Sequence, residues 1–242
     1  MAPSKSILVL HGITMSGASM RRTLGPVGQR LEALGYELVA PNGGHRLGEG
    51  ELSVSMKWMS GVYEKRGQSA GDYFRNGRFW DAGEHYDWFD LATDASGRKT
   101  YRALERSLDS VAAATQGRHI SGVLGFSQGA GMAMLLLARA AEGDPRFQYP
   151  DWAIFLSGFK PVFDQPHGVR YPIAGRLSAL FVIGEHDPIF PGSETYLMSL
   201  GDAFAQAQSE YLLLPAFGHD VPTSPELVER FAQFIEESPR CS

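Results

Sequence analysis

One stretch constrains the fold of this chain more than any other: Val123-Leu124-Gly125-Phe126-Ser127-Gln128-Gly129-Ala130. A short apolar run over 120–124, interrupted by one glycine, leads into it, and a longer apolar run over 130–141 leads out. The short run reads as a buried strand and the long one as a helix. Ser127 therefore stands on a sharp strand-to-helix turn with the spacing G-x-S-x-G, the pattern of a nucleophile elbow. At the apex of such a turn the hydroxyl stands clear of the backbone, and the residue that carries it sits in a sparsely populated φ/ψ region. Side chains at 125 and 129 would collide with neighbouring backbone, which calls for glycine at both. The following helix aims its free N–H groups and partial positive charge at the serine. The plainer reading is a serine that caps a helix. The residues that could act with it decide between the two.

The chain has 242 residues, a length that suits a single α/β domain. Ile7-Leu8-Val9-Leu10 is a continuous apolar run, as in a parallel strand covered on both faces, and it ends in His11-Gly12-Ile13-Thr14. A helix is predicted over 16–34, broken near Gly25-Pro26 and stopped at Gly35. A strand over 37–40 closes on Pro41-Asn42-Gly43-Gly44. Farther on, 98–115 has helical periodicity, with Tyr101, Leu104, Leu108, Val111 and Ala112 on one face. Strands follow at 152–156, ending in Ser157-Gly158, and at 177–183, ending in Gly184-Glu185-His186-Asp187-Pro188. A helix over 194–208 and a strand over 210–214 come next. The last helix spans 225–237, with Ser224 as N-cap and Pro225 at its first position. This alternation predicts about six parallel strands flanked by helices on both faces. Such sheets bind ligands beyond the C-terminal strand ends, where Ser127, Asp187 and His219 all fall.

Residues 43–98 break the pattern. They are rich in glycine, charge and aromatic rings, among them Trp58, Tyr63, Tyr73, Phe74, Phe79, Trp80, Tyr86, Trp88 and Phe89. A structureless loop of that length is uncommon unless it is functional. The segment reads as an insertion with a short helix or two, leaning over the strand ends. Its aromatics form either a wall for an apolar substrate or anchors that tie a long loop to the core.

A serine hydroxyl needs a base within hydrogen-bond reach, and the base needs an orienting acid. In the α/β-hydrolase fold the chain order is Ser, then Asp or Glu, then His. Of seven histidines, His11, His45, His85 and His119 precede the serine, His167 lies in an irregular stretch and His186 adjoins the candidate acid. His219 follows the last strand and a glycine, which makes it the candidate base. Asp187, stiffened by Pro188, is the candidate acid, ahead of Glu185, Asp164 and Asp220. The oxyanion of an acyl-transfer intermediate needs two backbone donors. Gln128 N–H supplies one, and the loop after the first strand the other, with Ile13 first and Thr14 in reserve. His11 is read as a prop for that loop rather than a proton carrier.

Composition narrows the function further. The net charge of −5 and the absence of a basic run argue against nucleic acid as partner. The sole cysteine, Cys241, forms no internal disulfide, which fits a cytoplasmic setting. The residues Met1 to Ser6 lack the longer apolar stretch expected of a secretory signal, and no run reaches the length expected of a membrane span. No His/Cys/Asp cluster has metal-ligand spacing, and neither Asn42-Gly43-Gly44 nor Gly48-Glu49-Gly50 matches a nucleotide-binding loop, so no cofactor is expected.

The chain resembles the FSH family of serine hydrolases along nearly its whole length. The resemblance rests on Leu8-Val9-Leu10-His11-Gly12, on Trp88-Phe89, and above all on Gly122-Val123-Leu124-Gly125-Phe126-Ser127-Gln128-Gly129-Ala130. Ser157-Gly158, Gly184-Glu185-His186-Asp187 and Gly218-His219 complete it. It implies an α/β-hydrolase without a large lid domain that cleaves carboxylic esters or thioesters, with Ser127, Asp187 and His219 as triad. Trp88, Phe89 and Ser157 are the candidate substrate contacts. Two alternatives accompany this reading. One is release of an acyl or polyketide chain from an acyl carrier protein. The other is a binding module that keeps the fold without the chemistry.

Overall fold

The computed structural model describes residues 5–48, 54–65, 84–93, 95–97, 99–161 and 170–239. Of the residues singled out above, Tyr73, Phe74, Phe79, Trp80, Asp164, His167 and Cys241, and the side chain of Trp58, lie outside them.

Six strands form the central sheet: β1 (Lys5–Leu10), β2 (Glu37–Val39), β7 (His119–Phe126), β8 (Trp152–Leu156), β9 (Ile173–Gly184) and β10 (Phe204–Leu214). Their spatial order is β10-β9-β8-β7-β1-β2, and every pairing is parallel. Alternation along the strands divides the core into two halves. Ile7 and Val9 of β1, Trp152, Ile154 and Leu156 of β8, and Leu180 and Val182 of β9 face one side. Leu8 and Leu10, Ala153 and Phe155, and Ala179, Phe181 and Ile183 face the other. Both sets are buried because helices cover both faces, so the strands read as unbroken apolar runs rather than alternating ones.

Three helices cover the first face: α1 (Gly17–Leu24), α2 (Pro26–Ala33) and α7 (Pro225–Glu237), through Met20, Leu24, Val27, Leu31, Phe231, Phe234 and Ile235. Gly25, at φ 46°, and Pro26 divide α1 from α2 where the sequence predicted a break. Ser224 caps α7 by accepting the Leu227 amide at 3.4 Å. The opposite face is covered by α4 (Leu104–Thr115), α5 (Gln128–Ala141) and α6 (Glu194–Gly201). The glycine inside β7 also has a cause: a Cβ on Gly122 would lie 2.1 Å from the Trp152 indole, so the bare backbone makes room for that ring.

Two expectations need correction, and the inserted segment adds elements that were not foreseen. The helix predicted over 98–115 begins at Leu104. Residues Lys99–Arg102 form a strand, β6, which pairs antiparallel with β5 (Asp90–Thr93), and Ala103, at φ 67°, separates strand from helix. The helix predicted over 194–208 ends at Gly201, and Phe204 already belongs to β10. The Ala/Gln-rich stretch that follows favours helix locally, but its backbone pairs with β9 over ten positions. The segment 43–98 contains one described helix, α3 (Val54–Lys65), and also short strands. These are β3 (His45–Leu47), which pairs with β4 (His85–Asp87), and β5. Residue Met15 bridges to Tyr86 of β4, which ties this segment to the loop after β1.

The strand order reverses between β1 and β7: the chain moves outward from β1 to β2, then returns to the other side of β1. The loop 11–15 and the turn at Ser127 thus sit side by side at the topological switch point, where open α/β sheets bind ligands.

Candidate active site

The elbow at Ser127 is built by steric exclusion. A Cβ at Gly125 would lie 2.5 Å from the Gly129 carbonyl oxygen, and one at Gly129 would lie 2.2 Å from that of Leu10. Neither glycine has a positive φ, so space, not conformation, excludes every other residue there. Ser127 itself takes φ 53°, ψ −117°, a strained conformation held by its own N–H, which donates to the Leu156 carbonyl at 2.9 Å. Its side chain makes no capping bond to α5, which removes the plain capping reading.

Three side chains from three strand ends meet here. His219 Nε2 lies 2.9 Å from Ser127 Oγ, and its Nδ1 lies 2.8 Å from Asp187 Oδ2. Asp187 Oδ1 accepts the Ile189 amide at 2.8 Å and the Phe190 amide at 3.0 Å. All three residues are buried. Burial of Asp187 pushes its carboxyl pKa up, but the hydrogen bond and charge of His219 and the two amides outweigh it, so the group stays below the usual carboxylate range. An ionised Asp187 fixes the proton of His219 on Nδ1 and leaves the Nε2 lone pair facing the serine. The imidazole is wedged between the rings of Phe126 (5.1 Å) and Phe190 (5.7 Å). Of the competing acids, Glu185 is exposed and Asp220 turns onto the Val221 amide next to it.

Among the described residues, neither the Ile13 nor the Gln128 amide has a hydrogen-bond partner. Both residues line a cavity of about 310 Å³ that opens onto Ser127. Thr14 drops out as a reserve donor: its N–H is already given to Asp87 Oδ1 at 2.9 Å. The remaining walls are apolar, from Met59 of α3, Phe89, Leu91, Tyr101, Phe159, Ile189 and Phe190. Sequence reading placed Phe89 here but missed Phe159 and Phe190, which stack at 5.6 Å. Their signal was position: each follows a strand end that also carries a conspicuous polar residue, Ser157 or Asp187.

Two expected contacts lie elsewhere. Trp88 is fully buried, stacks on His11 at 4.5 Å and donates its indole N–H to the His11 carbonyl at 2.7 Å, so it anchors the loop rather than lining the cavity. Ser157 is also buried, at φ 43°, with its N–H on the Val182 carbonyl, and it is not among the cavity walls. His11 is held as a prop: it donates from Nδ1 to the Gly12 carbonyl at 2.7 Å and accepts the Gly43 amide at Nε2, at 3.0 Å. Among the described residues, no group of three or more His, Cys, Asp or Glu is arranged to hold a metal ion, and no helix is long and apolar enough to cross a membrane.

The six-stranded parallel sheet with its serine elbow defines the α/β-hydrolase fold. The fold is shared with esterase PE8 (TM-score 0.57, 21% identity, 98% of this chain and 94% of that one) and with acyl-protein thioesterase 2 of Zea mays (TM-score 0.53, 19% identity, 97% and 95%). Within that class, residues 1–231 match the family model described as "Serine hydrolase (FSH1)", and the chain belongs to that family. Its relatives include the Esterase OVCA2 of Bos taurus, 31% identical over 239 residues (97% of each chain), and Family of serine hydrolases 3 of Saccharomyces cerevisiae, 26% identical over 248 residues (98% of this chain, 85% of the relative).

Proposed function

We propose that the protein hydrolyses carboxylic esters or thioesters through an acyl-enzyme on Ser127. The observation that carries this reading is the unbroken chain Ser127–His219–Asp187, at 2.9 and 2.8 Å, beside two amides that have no hydrogen-bond partner among the described residues. His219 Nε2 takes the hydroxyl proton as Ser127 Oγ attacks the carbonyl carbon. Negative charge then develops on the carbonyl oxygen, and the Ile13 and Gln128 N–H groups receive it. The imidazolium, stabilised by Asp187, returns the proton to the departing alcohol or thiol. Water activated by the same imidazole releases the acid. The names of the family relatives as esterases support the class of reaction.

The cavity indicates the acyl group. Its volume is at the low end of ligand pockets, and among the described residues no charged side chain lines it, so a compact apolar acyl chain fits it. The chemistry is the same when the donor is a thioester, including one carried on an acyl carrier protein. Rates on an ester and a thioester of the same acid assign the leaving group.

The test is covalent. A fluorophosphonate should label wild type at Ser127, and Ser127→Ala should lose labelling and at least about 10³-fold in turnover with the fold intact. A non-catalytic binding module would leave Ser127 unlabelled. Full esterase activity in Ser127→Ala would end the proposal.

A further inference from the structure

We propose that Asp87 is a positioning residue for the oxyanion hole, and that strand β4 of the inserted segment acts as a yoke across its two donors. The inference rests on the acyl-transfer reading above and extends it to residues that touch no substrate.

The loop 12–15 offers two consecutive amides, Ile13 and Thr14. Thr14 is a β-branched residue at φ 59°, a left-handed conformation that is unfavourable unless its surroundings impose it. Three consecutive residues of β4 impose it. Asp87 Oδ1 accepts the Thr14 N–H at 2.9 Å, His85 Nδ1 donates to the Thr14 carbonyl at 2.8 Å, and the Tyr86 N–H donates to the Met15 carbonyl at 2.9 Å. Asp87 has no exposed surface. A carboxyl group is costly to bury unless its oxygens accept hydrogen bonds, and Oδ1 accepts this one from Thr14. With Thr14 N–H drawn toward Asp87, the preceding amide, Ile13, is left for the cavity.

The other end of the same segment is fixed to the second donor. The Gln128 side chain accepts the Trp88 amide at 2.8 Å and donates to the Phe89 carbonyl at 2.8 Å. Ser107 Oγ donates to the Trp88 carbonyl and accepts the Gly44 amide. Residues 85–89 therefore join the loop that carries Ile13 to the side chain of the residue whose backbone N–H is the other donor. The spacing between the two donors is thus set by a segment outside the β1 and β7 strand ends.

The experiment compares Asp87→Ala, Asp87→Asn and His85→Ala with wild type. It uses a short acyl ester for kinetics and a trifluoromethyl ketone whose serine adduct places an oxyanion in the hole. Asp87→Ala should lower kcat by about 10- to 100-fold with KM within about 2-fold, and affinity for the ketone should fall in parallel. Asp87→Asn, whose amide oxygen still accepts the Thr14 N–H, should recover to within about 5-fold of wild type, and His85→Ala should lose about 3- to 10-fold in kcat. Wild-type kcat and ketone affinity in Asp87→Ala would overturn the assignment. So would a rise in KM alone, or an Asn variant as impaired as Ala. If Asp87→Ala does not fold, His85→Ala decides: unchanged kcat and ketone affinity there refute the yoke. The two failures separate cleanly. Turnover that survives Ser127→Ala defeats the acyl-enzyme reading, whereas turnover that depends on Ser127 but not on Asp87 or His85 defeats only this one.

Discussion

Acid should destabilise this protein through His11. The His11 ring is fully buried, and both nitrogens are committed to the neutral tautomer: Nδ1–H to the Gly12 carbonyl and Nε2 to the Gly43 amide. A second proton would set two N–H groups against each other at Nε2, in a site closed by the Trp88 ring. Burial therefore lowers the pKa to about 4, against a smaller upward pull from the Gly12 carbonyl. In the unfolded chain the same imidazole titrates near the ordinary value of about 6.5. Between those values the unfolded state binds a proton that the folded state refuses, so stability is full above about pH 6.5 and falls as pH drops toward 4. The slope approaches about 1.4 kcal/mol per pH unit, which amounts to about 2 kcal/mol by pH 5.

The assay is urea denaturation of wild type and His11→Gln at pH 7.5, 6.5, 5.5 and 5.0. The variant should be less stable at pH 7.5, because it loses the ring on which Trp88 stacks. Its deficit should shrink by about 2 kcal/mol on going to pH 5, because glutamine does not titrate. The remaining histidines are common to both proteins and cancel in the difference. Parallel stability curves for the two proteins over this range would refute the account of His11 as a buried neutral prop.

Three further outcomes follow from the site. Gly129→Ala puts a methyl group 2.2 Å from the Leu10 carbonyl oxygen and 2.5 Å from that of His11, so backbone must move; a melting curve should show a marked loss of Tm or no folded protein. Phe159→Ala removes a ring that packs over Gly131 and against Phe190, which enlarges the cavity. kcat/KM over a graded ester series should shift toward bulkier acyl groups. Asp187→Asn keeps the shape but can no longer hold the proton of His219 on Nδ1, and kcat should fall by about 10³- to 10⁴-fold with little change in KM. Activity close to wild type would mean that Asp187 does not orient the base.

The three side chains that meet at the candidate site were legible because each occupies a position that the sheet defines. Apolar runs locate the strands, parallel pairing brings their C-terminal ends to one edge, and Ser127, Asp187 and His219 each follow such an end. The residues around them were less legible. Strands β3 to β6 are three or four residues long and too polar to show a period. Tyr101 fell into register with Leu104, Leu108 and Val111 as though on one helix, although Ala103 turns the chain between them. Trp88 and Phe89 are adjacent aromatics that composition cannot tell apart, yet one anchors His11 and the other faces the cavity. The pair sits at the bend between β4 and β5, outside either strand, so no strand period assigns one ring to the wall and the other to the anchor.

The same difference in legibility bears on how the site is built. Ser127, His219 and Asp187 hang from the rigid sheet, which needs only strands of sufficient length. The two free amides cannot be placed that way: the Gln128 N–H is set by the first turn of α5, but the Ile13 N–H belongs to the loop after β1, and a loop amide has no preferred direction of its own. Something must hold Thr14, the next residue, in its left-handed conformation at φ 59°. In this chain the task falls to β4, polar in sequence and without an apolar period, whose completely buried Asp87 accepts the Thr14 N–H. A fully buried carboxylate is hard to account for as a stabilising element, since an apolar residue would fill the same space without the desolvation cost. It is readily accounted for if the bond it makes is what aims Ile13 into the cavity.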